Sequence, residues 1–378
     1  MLSGQRAFLR GIDRLVQHGS AYRVHMKRIA LLASLGALLL VSVAFGPPLG
    51  EYPSKVSRVL ATYSPAPEKL SSAKSRATAA QVFLKGLSKE LREQCALALE
   101  DKERQRWTNV PPRAKEGGAR LGDLSQEELK LACNLLAAVL SPEGYAKVRD
   151  IMLADDLLLR GGAPRVGFGA ENFWVAIFGE PTAIGTWGLQ LDGHHLALNL
   201  TFNGEEMTMS PSFIGTQPAA YERENVQVVP MRRTAHEAFE LFNSLSSEQR
   251  GTALQSAKRG QITTGPGTDG VVPKTRGVSC AGFDEKQRLH LTTLLRQFVS
   301  DLPKEIADTR MIVLEAEIDS MFFAWSGPSK NPSDVSYTVQ GPTVIAEYAC
   351  QDLGGDPLNH LHSMYRDPQN EYGSAYAE

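Results

Sequence analysis

The chain has 378 residues, of which 42% are hydrophobic, 22% charged and 7% aromatic, a globular composition that excludes a disordered or fibrous protein and leaves room for one large domain or two ordinary ones. Forty Lys and Arg against 42 Asp and Glu leave a net charge of -2, so no global positive field exists to hold a nucleic-acid backbone. Four dispersed cysteines, Cys95, Cys133, Cys280 and Cys350, contain no CxxC pair, which argues against zinc ribbons and thioredoxin-type redox motifs.

Residues 29–45 form an uncharged apolar stretch preceded by Arg6, Arg10, Arg14, Arg23, Lys27 and Arg28. That is the pattern of a secretory signal, and Ser42-Val43-Ala44 offers small residues for cleavage after Ala44; the alternative is an uncleaved signal anchor spanning 29–45, the chain's one expected membrane contact. Residues 1–44 are thus expected to act in export, which makes the mature chain periplasmic or secreted. An oxidising compartment would permit two disulfides among the four cysteines, in three pairings, or each could be a small buried apolar residue. Residues 45–79 are rich in Pro, Ser, Ala and Lys and read as a flexible tether, with a single globular domain over 80–378.

That domain opens with helical spacing at Val82, Leu84, Leu87, Leu91, Cys95, Leu97 and Leu99. A capping box at Ser125-Gln126-Glu127-Glu128 starts a second helix, and Ser141-Pro142 starts a third. From Asn172 the period changes to two: residues 173–178 read as a buried strand, and 195–202 pair through a turn at Asn203-Gly204 with 207–209. In the SPSFIG run, Pro211 is expected to stop the ladder and Gly215 to reverse the chain. Helices are expected at 233–245, 247–258 and 284–298 around a Gly-rich loop at 263–282, and strands at 311–318, 321–325, 335–339 and 343–349. Elements in blocks rather than strict alternation predict an α+β fold, with an N-terminal helical block packed on a largely antiparallel sheet and further helices inserted between strands.

Four of the eight histidines fall in two clusters, Gly193-His194-His195 and Asn359-His360-Leu361-His362. If the second segment is extended, His360 and His362 point to one side, and paired neutral imidazoles are what a transition metal requires. His195 shares strand parity with Ala197, Asn199 and Thr201. Glu347, on an otherwise apolar strand, needs a partner. Arg366 could fork onto an anionic substrate and Asp367 could orient a histidine, or the two could form a structural ion pair. Ser210 and Ser212 lack a nucleophile elbow, and HExxH, Walker and GxGxxG signatures are missing from the sequence, so no nucleotide cofactor is expected.

Trp187, Gly193-His194-His195-Leu196, Asn199, the SPSFIGTQPA run from Ser210, Gln340-Gly341-Pro342, Glu347-Tyr348, Asn359-His360-Leu361-His362 and Tyr365-Arg366-Asp367-Pro368 together resemble the domain-of-unknown-function family 3500. The resemblance extends upstream through Arg106-Trp107, Arg120-Leu121-Gly122 and Leu140-Ser141-Pro142-Glu143-Gly144-Tyr145, and so covers the chain from about Leu91. It implies no reaction. Tyr365 stands where the family often carries Trp, and the family's further histidine after the Asn and Gly positions has no counterpart at 374–378.

Two functions follow from these residues. One is an exported metal-dependent hydrolase or oxidoreductase, with Zn, Cu or Fe held by His195, His360 and His362, with His194 as a further candidate ligand, Glu347 as ligand or general base, Arg366 orienting an anionic substrate and Asp367 orienting a histidine. The other is a non-catalytic periplasmic or surface protein that takes a small anionic ligand in a cleft.

Overall fold

The computed structural model describes residues 54–65, 71–112, 117–159 and 167–376. The proposed signal, its cleavage site and the apolar stretch at 29–45 lie outside them. No described helix is long and apolar enough to cross a membrane.

The segment expected to be a tether is structured where it is described. Helices α1 (Lys55–Thr62) and α2 (Ala73–Gly86) each begin with a serine capping box, at Ser54 and Ser72. They bury Val56, Val59 and Leu60, and Ala73, Ala77, Ala80 and Phe83. Average composition hid this, because small alanines at helical spacing pack closely without raising hydrophobicity. Arg76, 1% exposed, bonds to the carbonyls of Ser71, Gly204 and Glu205 and so ties α2 to the sheet.

Helix α3 (Lys89–Cys95) runs into the short strand β1 (Ala96–Leu97), so Leu97 and Leu99 leave the expected helix. After β2 (Ala119–Arg120) come α4 (Gln126–Val139), opened by the Ser125–Glu128 capping box, and α5 (Pro142–Leu159). A meander follows: β3 (Phe173–Phe178), β4 (Thr186–Gly193), β5 (Leu196–Asn203) and β6 (Glu206–Thr216). The β5–β6 hairpin pairs Asn203 with Glu206, so its two turn residues are Gly204 and Glu205. Pro211 does not stop the ladder. Residues Ser210 and Pro211 form a bulge opposite Asn199, whose side-chain amide bonds the Pro211 carbonyl, and β6 continues through Gly215.

A small ribbon, β7 (Tyr221–Arg223) with β8 (Val226–Val228), leads to α6 (Arg232–Ser244), α7 (Ser247–Ala253), β9 (Leu254–Ser256) and β10 (Val278–Ser279). Helices α8 (Glu285–Val299) and α9 (Lys304–Ala316) come next. Residues 311–316 of the expected strand at 311–318 are therefore helical. Its β-branched run misleads, since Met311, Leu314 and Ile318 are buried at three- and four-residue spacing while Ile312 and Val313 face solvent. Strands β11 (Phe322–Ser326), β12 (Ser336–Gln340), β13 (Ile345–Cys350) and β14 (Leu361–Arg366) close the chain.

The fold is α+β. One large, mostly antiparallel sheet has the order β1-β3-β4-β5-β6-β14-β13-β12-β11-β10. Its two faces differ in chemistry. Leu189, Leu191, Leu196, Leu198, Ile214, Tyr348, Tyr337 and Trp325 share one face and join the main core with the helices. The other face carries Asp192, Gln190, Asn199, His362 and Glu347 around a separate small cluster of Trp107, Ala197, Phe213 and Met364. Loops rather than helices supply its cover: Thr108 bonds Asp192, and Thr263 and Thr264 bond Glu347. All four cysteines are buried and free.

Candidate metal centre

His194 and His195 are the two turn residues between β4 and β5, since Gly193 pairs with Leu196. His195 therefore sits in the turn and not in the expected strand. Its φ of 67° is costly for a residue with a side chain, by about 1–3 kcal/mol, and is held by its amide on the Asn109 carbonyl and its carbonyl on the Gly215 amide. His360 is extended and immediately precedes β14, so it and His362 fall on one side, as alternation requires.

The two histidine clusters, 165 residues apart, meet. His195 Nε2 lies 2.8 Å from His360 Nε2, which lies 3.0 Å from His362 Nε2. His360 Nδ1 is 2.5 Å from the Leu353 carbonyl, and because a carbonyl can only accept, the Nδ1–H donates and Nε2 is left with a bare lone pair. That single lone pair faces two other imidazole nitrogens. His195 and His360 are buried, and His362 is partly exposed.

Burial and the neighbouring imidazoles push His195 well below the ordinary histidine range, and burial chiefly, then His360 and His194, carries His362 down to about 3. Burial also lowers His360, against the bond to Leu353. All three are neutral at pH 7, the state in which imidazole binds a metal. A metal–nitrogen distance of about 2.05 Å makes these separations subtend roughly 86–94° at an ion, and a regular tetrahedral site would need about 3.3 Å between nitrogens. Both separations fall below that value, and the ligand atoms of His195, His360 and His362 all lie within 4.8 Å of one another, near enough to share one ion.

Gly215 makes the approach possible. On β6 it lies beside His362, and a Cβ there would be 2.8 Å from His362 Cδ2, 2.9 Å from the Leu361 carbonyl and 3.2 Å from His195 Cδ2. Phe213 meets the His362 ring edge-on at 4.9 Å.

His194, expected as a ligand, turns elsewhere. Its Nδ1–H donates to Asp155 Oδ1 at 2.5 Å and its ring lies 3.6 Å from that of His195, tilted by 31°. Asp155, inside α5, was missed by sequence reasoning, although two adjacent acids in an apolar helix were a signal.

The other expected site residues are engaged away from the imidazoles. Both Glu347 oxygens are taken by the amides and hydroxyls of Thr263 and Thr264 at 2.5–3.2 Å, so it is neither a free base nor a ligand here. Arg366 pairs with Glu371 and donates to the Val271 carbonyl; Asp367 pairs with Arg310 at 3.3 Å and accepts from the Gln369 amide. Arg366 and Asp367 are therefore not paired with each other, and Asp367 orients no histidine. With Glu371 on the Gly270 amide and Tyr372 on Asp269, the contacts of Glu347 and Arg366 fasten residues 263–271 as a strap over the polar face. Ser212 lies on the helix-covered face with Tyr365, opposite His362, and Ser210 Oγ accepts the Asp367 amide, so neither of these serines is placed as a nucleophile beside the imidazoles.

Residues 70–374 match the family described as protein of unknown function (DUF3500). The chain belongs to that family. No curated protein and no solved structure matches it. The DUF3500 match takes in both histidine clusters, Gly215 and Asp155, and assigns them no role.

Proposed function

We propose that this DUF3500 protein is a metalloprotein that holds one transition ion, Zn, Cu or Fe, on the Nε2 atoms of His195, His360 and His362, and that it works as a metal-dependent hydrolase or oxidoreductase. The observation that carries the reading is His360 Nε2, whose one lone pair faces two imidazole nitrogens at 2.8 and 3.0 Å. A hydrogen-bonded structural cluster would satisfy only one of those contacts well, whereas an ion satisfies three lone pairs at once. When bound, the ion supplies Lewis acidity or activates water. The protein's own part is to hold three neutral nitrogens within reach of one another, with His362 the one that is partly exposed.

Beside the site, Phe213 packs edge-on against His362 and joins Trp107, Ala197 and Met364 in a buried apolar cluster. In the binding-protein alternative the same His, Arg, Tyr and Trp residues would line a cleft for an anion, and Arg366 is engaged by Glu371 and the Val271 carbonyl. The basic and then apolar amino terminus supports export of the whole unit.

Elemental analysis of the purified protein tests the reading. About one equivalent of transition metal is expected, lost in His360→Ala and His362→Ala and retained in His290→Ala. Folded wild-type protein that neither carries such an ion nor takes up Zn(II), Cu(II) or Fe(II) would overturn it.

A further inference from the structure

Three neutral imidazoles bring no charge to a buried cation, and an uncompensated ion in a site of low dielectric is costly. The acidic side chain that meets this need is Asp155. It is 1% exposed, and the metal-capable atoms of Asp155, His194 and His195 all lie within 4.8 Å of one another. Its carboxylate is fixed at both ends: Oδ1 accepts the His194 Nδ1–H at 2.5 Å and Oδ2 accepts the Gly169 amide at 2.6 Å. Of the two acids placed on the polar face of the sheet, Glu347 is already saturated by Thr263 and Thr264, and Asp192 accepts the Thr108 amide.

The orientation of His194 excludes it as a fourth ligand to the same ion. Its ring and that of His195 are nearly stacked, with centroids 3.6 Å apart and a tilt of 31°, so their in-plane lone pairs run side by side and do not converge. Phe168 meets His194 edge-on at 4.6 Å. The His194 ring is thereby clamped by a carboxylate, an aromatic edge and the face of a ligand. We infer that Asp155 is the counter-charge of the metal centre and that His194 is the positioning residue that couples it to His195. This inference rests on the metal reading above and adds to it the device that sets which ionic charge the site prefers.

Coulomb's law makes the consequence specific, because a single negative charge stabilises a dication twice as much as a monocation at the same place. Removing it must therefore cost Zn(II) the square of the factor it costs Cu(I). Asp155→Asn keeps the shape and one acceptor oxygen for the His194 Nδ1–H, while its NH2 replaces the oxygen that accepts the Gly169 amide, and removal of such an outer partner lowers metal affinity by about 10–100-fold. The experiment is a competition titration of the metal-free protein with Zn(II) and, under anaerobic reducing conditions, with Cu(I). About a 100-fold loss for Zn(II) with about a tenfold loss for Cu(I) is expected in Asp155→Asn, and no change in Asp156→Asn.

Should Asp155→Asn fail to fold, the double variant Asp155→Leu with His194→Phe removes both polar partners together while keeping the stacked ring, and the same unequal loss is expected. Equal losses for the two ions, or none, would overturn the counter-charge with the metal site intact. Wild-type protein that binds neither of these ions, nor Cu(II) or Fe(II), would instead remove the metal reading itself, so the two failures are distinguishable.

Discussion

Gly215→Ala is the sharpest perturbation of the site, because it adds one methyl group and replaces no proposed ligand. The new Cβ would lie 2.8 Å from His362 Cδ2 and 3.2 Å from His195 Cδ2. Carbon contacts relax at about 3.5 Å, so His362 must retreat by about 0.7 Å and His195 by about 0.3 Å. Cδ2 adjoins Nε2 in the ring, and the retreat moves the coordinating nitrogens by a similar amount. That exceeds the roughly 0.5 Å within which a constellation keeps its geometry. The third contact, 2.9 Å to the Leu361 carbonyl, is with backbone and cannot rotate away. Overpacking costs about 1–3 kcal/mol, and the reduced freedom of the unfolded chain returns about 0.4–1 kcal/mol, so the metal-free variant should lose only about 0–2.5 kcal/mol. Zn(II) affinity should fall at least tenfold, about 1.4 kcal/mol or more. Denaturant unfolding of the metal-free protein and chelator competition for Zn(II) separate the two effects. A variant that binds Zn(II) as wild type does would refute the claim that these imidazoles meet over the glycine.

Glu347→Gln replaces an acceptor of four donors with a group that presents its own N–H, and should destabilise by about 2–4 kcal/mol, speed tryptic cutting at Lys258, Lys274 and Arg276, and leave Zn(II) affinity unchanged; lost metal binding in a folded protein would restore Glu347 as a ligand. Asp156 is raised by burial from 3.8 to about 6, so the folded state holds its proton more tightly and stability is lost as pH rises between those values. The stability of Asp156→Asn relative to wild type should therefore rise by up to about 3 kcal/mol between pH 3.5 and pH 7, and a flat difference in urea unfolding would contradict this. Burial holds Cys95 and Cys280 up at about 12, so alkylation should reach all four thiols only after unfolding, with or without reductant; fast native labelling, or fewer than four thiols, would count against free buried cysteines.

Elements with strong local signals were legible. The 173–178 strand and the β5–β6 hairpin follow from period-two patterning, and the Ser125 and Ser141 helix starts follow from capping residues. Errors arose where composition was averaged or tertiary packing overrode propensity. Residues 45–79 were read by their Pro and Ser content, yet capping boxes and buried alanines make helices of two parts of them. The run at 311–318 was read by its β-branched residues, yet its buried positions have helical spacing. Charged residues near the histidines were the least legible. Glu347 and Arg366 do have buried partners, as their positions demanded, but those partners lie on the strap and the tail, which no periodicity could place.

The meeting of the two histidine clusters follows from strand order once that order is known. Strands β5, β6 and β14 are neighbours, and Leu196 pairs with Ile214 while His362 pairs with Gly215. His195, Gly215 and His362 thus lie in one row across three strands, with the outer two about 9–10 Å apart at their backbones. Two imidazoles can close that distance only by leaning over the middle residue. Any side chain there would keep them apart, so a glycine inside a long buried strand, destabilising by itself, is required by the site and not by the sheet. A left-handed residue is what a tight two-residue hairpin turn commonly takes, so the backbone of His195 follows from the turn, and it is the missing side chain at Gly215 that the approach of the imidazoles requires.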